Sequence, residues 1–239
     1  MKRISDRRIF TLVCLNAALY IPILILDLLK AMGEVTAAQG LASDCLKYAA
    51  IVSCLFICIF ALSHERKNVA RIQTLVFSIT LAADFLLIFT DLFLIGVLVF
   101  IGAHACALLR YKPGWLLPVG ISAAALFTII TLALPAALPP ADIGLILVIA
   151  SCSAYAVLII SVTVSTFHSW QPRENQLFSR LGMLLFLACD VNVFIFNLLP
   201  AGYTAYTASI VLMWLFYLPA QTLLALSAVN LPLINQKAG

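Results

Sequence analysis

Eight apolar stretches, each near the length a helix needs to cross a bilayer, leave this chain few choices of fold. About 20 apolar residues in helical form span a hydrocarbon core of roughly 30 Å. Runs of that kind occupy residues 10–29, 45–62, 72–90, 92–109, 115–134, 143–165, 177–199 and 208–228. The breaks between them are short and hold the turn formers and charges: Gly33 and Gly40, His64–Arg71, Asp91, Arg110–Gly114, Pro135–Asp142, His168–Asn175 and Pro200–Thr207. In hydrocarbon every backbone polar group must be bonded within the protein, which a helix achieves alone. The prediction is therefore all-α: a polytopic membrane protein built as an eight-helix transmembrane bundle. No break is long enough for a soluble domain, so residues 1–239 are expected to form a single integral-membrane domain.

Charge placement orients the bundle. Twelve of the fourteen basic residues fall before the first span, between spans two and three, four and five, between or just inside six and seven, or after the eighth; only Lys30 and Lys47 fall toward the other side. The positive-inside rule then puts both termini in the cytoplasm and requires an even number of crossings. An odd count would scramble the pattern. In a bacterium such a chain is expected in the cell membrane. The opening Met1-Lys-Arg-Ile-Ser-Asp-Arg-Arg resembles the start of a signal peptide, but no small-residue cleavage site follows closely, so the first span is expected to be retained.

Composition excludes several classes. Charged residues are 10% of the chain, against about 25% in soluble domains. The basic residues form no dense patch interleaved with aromatics, so nucleic acid is not an expected partner. The seven cysteines lie in or beside apolar runs without a Cys-x-x-Cys pair, which suits small core residues rather than a disulfide framework or zinc knuckle. No Gly-x-Ser-x-Gly, Gly-rich phosphate loop or dinucleotide fingerprint occurs. Only one of the three histidines, His104, lies deep in a span, so no metal and no cofactor are expected.

What remains is a set of polar residues inside apolar helices. Asp84 follows Leu81-Ala-Ala in the third span, and Asp190 follows Leu187-Ala-Cys in the seventh. A carboxylate at membrane depth costs about 2.5–3.5 kcal/mol on insertion scales, so two of them imply a use. Helical periodicity puts Gln73, Thr80, Asp84 and Asp91 on one face of the third span, Ser179, Asp190 and Asn197 on one face of the seventh, and Tyr217 and Gln221 on one face of the eighth. The Ser, Thr, Asn and Gln side chains read most simply as interhelical hydrogen bonding. Asp84 and Asp190 sit at similar depths and are expected to meet in one buried cavity. Two carboxylates confined together favour one neutral acid beside one ionised base, the pair that acid–base hydrolysis requires. Lys47 either reaches that cavity or snorkels to the interface. His104 is either a hydrogen-bonded core residue or a second acid–base group.

These residues also form a pattern: Lys47 in the second span; Asp84 in the third; Phe93, Gly96, Phe100 and His104 in the fourth; Gly182, Phe186 and Asp190 in the seventh; Tyr217 and Gln221 in the eighth. In order and spacing it resembles the YhhN-like lysoplasmalogenase family over nearly the whole chain. Three neighbours depart from that family's usual residues: Tyr48 stands for Pro, Ala83 for Gly and Cys189 for Ser. The resemblance implies hydrolysis of the vinyl-ether bond of a lysoplasmalogen, a single-chain ether phospholipid reached from the bilayer, to a fatty aldehyde and a glycerophospho-head group. It implies Asp84 and Asp190 as the catalytic pair, with Asp190 taken as acid and Asp84 as base, an order the residues themselves leave open. His104, Tyr217 and Gln221 would position water or the glycerol hydroxyl, and Lys47 would face the phosphate or tune the carboxylates. The competing expectation is a lipid-binding protein or proton-coupled transporter on the same fold, since paired intramembrane Asp residues also suit proton coupling. No broken helices and no inverted repeat are visible to favour transport.

Overall fold

The computed structural model describes residues 2–62, 67–90, 92–137, 143–169, 173–200 and 202–229. Arg66, Asp91 and Lys237 lie outside the described residues, as do the side chains of Lys2, Arg3, Lys67 and Arg173. Among the described residues the chain forms eight α-helices: α1 Lys2–Ala31, α2 Ala37–Ala61, α3 Lys67–Phe89, α4 Phe93–Tyr111, α5 Leu116–Ala137, α6 Ile143–Phe167, α7 Arg173–Leu198 and α8 Thr204–Leu226. A single 3₁₀ turn, Pro113–Trp115, links α4 to α5. Each of the eight contains a segment long and apolar enough to cross a membrane. The protein is an integral, multi-pass membrane protein.

The helices run past the apolar stretches that announce them. α2 begins at Ala37 because Thr36 caps it: Gln39 N donates to Thr36 Oγ1, and Thr36 N donates to Gln39 Oε1 at 2.9 Å. That reciprocal box satisfies two of the amides a helix start leaves unpaired. α5 continues through Pro135, which the sequence reading places in the following connection.

The neighbours are α1 with α2, α2 with α3, α3 with α4, α4 with α6, α6 with α7, α7 with α8, and α8 with α1. Seven helices thus close a ring, and α5 packs outside it on α6 and more lightly on α4. Its large apolar side chains Leu117, Ile121, Ile129 and Leu132 are exposed, a surface that only lipid covers without loss. Inside the ring, buried Phe77, Phe100, Met183, Phe186 and Tyr217 join α3, α4, α7 and α8.

Two glycines set how closely those helices approach. A Cβ at Gly96 of α4 would come within 2.5 Å of the Leu87 side chain on α3. A Cβ at Gly182 of α7 would come within 2.8 Å of Leu224 Cγ on α8. Small residues at membrane helix crossings let backbones pack closely where no aqueous hydrophobic effect drives association. Here they draw together the helices that carry Asp84 with His104, and Asp190 with Tyr217.

The ends of the bundle differ in charge. Arg8 lies over Phe60, Arg110 donates to Ser227 O at 2.8 Å, and Arg180 donates to Phe167 O at 3.2 Å, which places the start of α1, the end of α4 and the start of α7 at one end. Lys30 and Lys47 belong to the other.

Candidate active site

Asp84 is 5% exposed and held by one partner across the bundle. Tyr217 Oη donates to its Oδ1 at 2.8 Å and its Oδ2 at 2.6 Å. The stretch of α8 that presents Tyr217 contains Pro219, which has no N–H for the carbonyl of Leu215. Tyr20 of α1 fills the gap, its Oη donating to Leu215 O at 2.8 Å. α8 is thereby stapled to α1 beside the site.

Asp190 has its own tyrosine. Tyr155 Oη, from α6, donates to Asp190 Oδ2 at 2.6 Å. Asp190 is partly accessible, and its Oδ1 accepts no hydrogen bond from the described residues. The two Asp–Tyr pairs are joined by rings. Phe186 meets Tyr217 edge-on at 5.4 Å and His104 at 5.2 Å, and His104 meets Tyr155 at 5.1 Å. Phe100 completes the box at 6.2 Å from Tyr155 and 6.1 Å from Phe186.

His104 is 5% exposed, and its Nδ1 bonds Phe100 O at 3.0 Å, one turn back on its own helix. That contact fixes the ring. His104 lines a cavity together with Gln73, Thr80, Tyr111, Phe186 and Gln221. Neither Asp84 nor Asp190 is among its lining residues. This cavity lies one helical turn from the carboxylates, toward the Arg110 end. Asp84 lies about 8 Å and Asp190 about 12 Å from the C-terminal ends of their own helices at about 1.5 Å per residue.

Lys47 is buried, with its ammonium 2.5 Å from Asp27 Oδ1 and 3.8 Å from Asp44 Oδ1. It does not snorkel. Trp214 links it to the site, its ring lying 4.9 Å from Nζ and 5.2 Å from the Tyr217 ring. Gln221 is 2% exposed and shares the inner face of α8 with Tyr217.

Two residues escape the sequence reading. Asp27 interrupts the first span as Asp84 interrupts the third, and is fully buried. The same insertion penalty singles it out, and its need for a cation points to Lys47 on the next helix. Tyr155 had no such signal, because a lone Tyr in an apolar helix is ordinary. Conversely, Asn197 shares a helical face with Asp190 in projection but is exposed and bonds Val193 O within its own helix at 2.8 Å. The bundle interior ends before reaching it.

No curated protein and no solved structure matches the chain. The profile of the YhhN family matches residues 43–228, a stretch that contains both carboxylates, both tyrosines that hold them, His104 and the whole cavity. The chain belongs to the YhhN family.

Proposed function

We propose that this protein is an intramembrane hydrolase that cleaves the vinyl-ether bond of a lysoplasmalogen. The observation that carries the proposal is the pair of carboxylates, each under a tyrosine hydroxyl on a different helix and separated by an aromatic box.

Vinyl-ether cleavage begins with a proton delivered to the alkene carbon remote from oxygen. Asp190 is the donor: only one of its oxygens is engaged, and Oδ1 carries the proton. The resulting cation is shared between the neighbouring carbon and the ether oxygen, and the faces of Phe100 and Phe186 favour it. Water then bonds to that carbon while Asp84 takes its proton. Asp84 accepts on both oxygens, which suits an ionised base held in place. The hemiacetal collapses as its hydroxyl loses a proton and the departing glycerol oxygen gains one, and Asp84 returns its proton to Asp190. One water is consumed, and a fatty aldehyde and a glycerophospho-alcohol leave. His104 and Gln221 orient water, while Lys47 acts on the site through Trp214 and Tyr217. A direct contact between Lys47 and the substrate phosphate fits poorly, because the ammonium is buried against Asp27.

Purified protein in detergent is expected to release aldehyde from lysoplasmenylethanolamine, and folded Asp84→Asn, Asp190→Asn and His104→Ala variants are expected to release far less. A wild-type protein that binds an alkyl lysolipid but releases no aldehyde would replace the enzyme with a binding or transport protein. With both termini in the cytoplasm, as the positive-inside rule expects, the carboxylates would lie toward the outer half of the bilayer.

A further inference from the structure

We propose that Tyr20 of α1 is a positioning residue for the site: by bonding the Leu215 carbonyl that Pro219 leaves without a helix partner, its hydroxyl holds Tyr217 on Asp84. The proposal rests on the hydrolase reading for its effect on turnover, though not for the placing of Tyr217.

A proline inside a helix removes one N–H and drives its ring against the carbonyl four residues back, so the helix opens and bends there. In α8 that carbonyl belongs to Leu215, and Tyr217 lies on the same side of the break, just before Pro219. The ladder of α8 is thus a rung short beside the residue that reaches Asp84.

α1 splints the break on both sides. Tyr20 Oη donates to Leu215 O at 2.8 Å ahead of Pro219, and Asn16 Nδ2, one turn away on the same face of α1, donates to Thr222 Oγ1 at 3.3 Å beyond it. Asn16 is itself held: it is 2% exposed, and Ser53 Oγ of α2 donates to its Oδ1. Ile23, on the same face, packs in one buried cluster with Leu218 of α8 and Ala50 of α2.

The site gives Tyr217 little room to compensate. Its ring meets Trp214 edge-on at 5.2 Å and Phe186 at 5.4 Å, and its one hydroxyl serves both oxygens of Asp84. Trp214 directly precedes Leu215, so a shift of the Leu215 peptide carries one wall of that slot with it. Hydrogen bonds weaken steeply as their angle closes, so a small tilt of this stretch costs the contact with Asp84.

Pro219 supplies the control, because Pro219→Ala returns an N–H to Leu215 O and leaves Tyr20 nothing to provide. A fluorotyrosine introduced in place of Tyr217 keeps the hydroxyl and reports its surroundings by fluorine NMR of the whole protein in detergent, without substrate. Tyr20→Phe is expected to shift or broaden that resonance, and Tyr20→Phe with Pro219→Ala to give the same resonance as Pro219→Ala alone. In steady-state assays Tyr20→Phe is expected to lower kcat for aldehyde release from lysoplasmenylethanolamine by about 2- to 10-fold, the worth of one neutral hydrogen bond, with KM unchanged. It is expected to cost nothing further once Pro219→Ala is present. A resonance that Tyr20→Phe leaves in place would overturn the proposal, and so would a kcat loss of equal size in both backgrounds, which would mark Tyr20 as packing alone. An undiminished kcat in Tyr20→Phe, beside an active wild type, would overturn the positioning role. A resonance that moves as expected in a protein that releases no aldehyde leaves Tyr20 holding Tyr217 and removes the hydrolase reading.

Discussion

Tyr217 places its hydroxyl against both oxygens of Asp84, at 2.8 and 2.6 Å, from a helix eight crossings along the chain to one only three along. The contact is possible because α8 closes the ring against α1 and α2 and so faces α3 across the interior. Asp190 is held by Tyr155 through one oxygen, so among the described residues each carboxylate has a single phenolic partner and neither pairs with a cation. Removing either hydroxyl therefore tests the site with the least disturbance to packing.

Tyr217→Phe and Tyr155→Phe are expected to fold and to lower aldehyde release by about 10- to 100-fold, from roughly 1.5–3 kcal/mol for a hydrogen bond to a charged group. The loss should fall on kcat rather than KM, since neither tyrosine is expected to hold the lipid head. Steady-state kinetics in detergent separate the two. A loss confined to KM would move the tyrosines from the carboxylates to substrate binding.

The Asp27–Lys47 pair gives a stability prediction independent of activity. Lys47→Met leaves Asp27 buried without its cation and should destabilise the protein by about 3–5 kcal/mol, whereas an apolar replacement of the whole pair, Asp27→Leu with Lys47→Met, should recover most of that loss. Thermal unfolding of the three proteins measures it. A double variant no more stable than the single one would mean that Lys47 is held by contacts other than Asp27.

Gly182→Val should loosen α7 from α8, because its side chain would overlap Leu224. Overpacking of this kind costs about 1–3 kcal/mol. Combined with Leu224→Ala the cost should be less than the sum of the two single changes, the mark of residues in contact. Melting temperatures of the four proteins in one detergent read out the coupling.

Orientation is tested with reporters. A fluorescent protein fused after the last residue should fluoresce, and a periplasmic phosphatase at the same place should be inactive, if the basic end of the bundle faces the cytoplasm. The reverse result would invert the bundle and put the carboxylates in the inner half of the bilayer.

Much of the architecture could be read in one dimension. Helix formation in hydrocarbon is a local matter, since a run of about 20 apolar residues bonds its own backbone. The eight helices therefore appear where the apolar runs do, and differ mainly where a local cap such as Thr36 or a tolerated Pro such as Pro135 extends them. The polar residues Asp84, Asp190, His104 and Gln221 stood out for a related reason: each is expensive where it sits, whatever its neighbours. Tyr155 did not, because its value lies wholly in the distance to Asp190 on another helix.

Sequence alone determined that this chain carries eight runs long and apolar enough to cross a membrane, that ionisable groups interrupt them, and that the chain belongs to the YhhN family. Only the tertiary structure decided that α5 stands outside the ring, that Lys47 pairs with Asp27, that each carboxylate has its own tyrosine, and that the cavity beside His104 lies a turn away from both. The reason is physical. Burial and hydrogen bonding within a helix depend on residues a few positions apart, whereas the pairing of helices depends on shape at crossings such as Gly96 with Leu87 and Gly182 with Leu224, and no periodicity along the chain encodes which surfaces will meet.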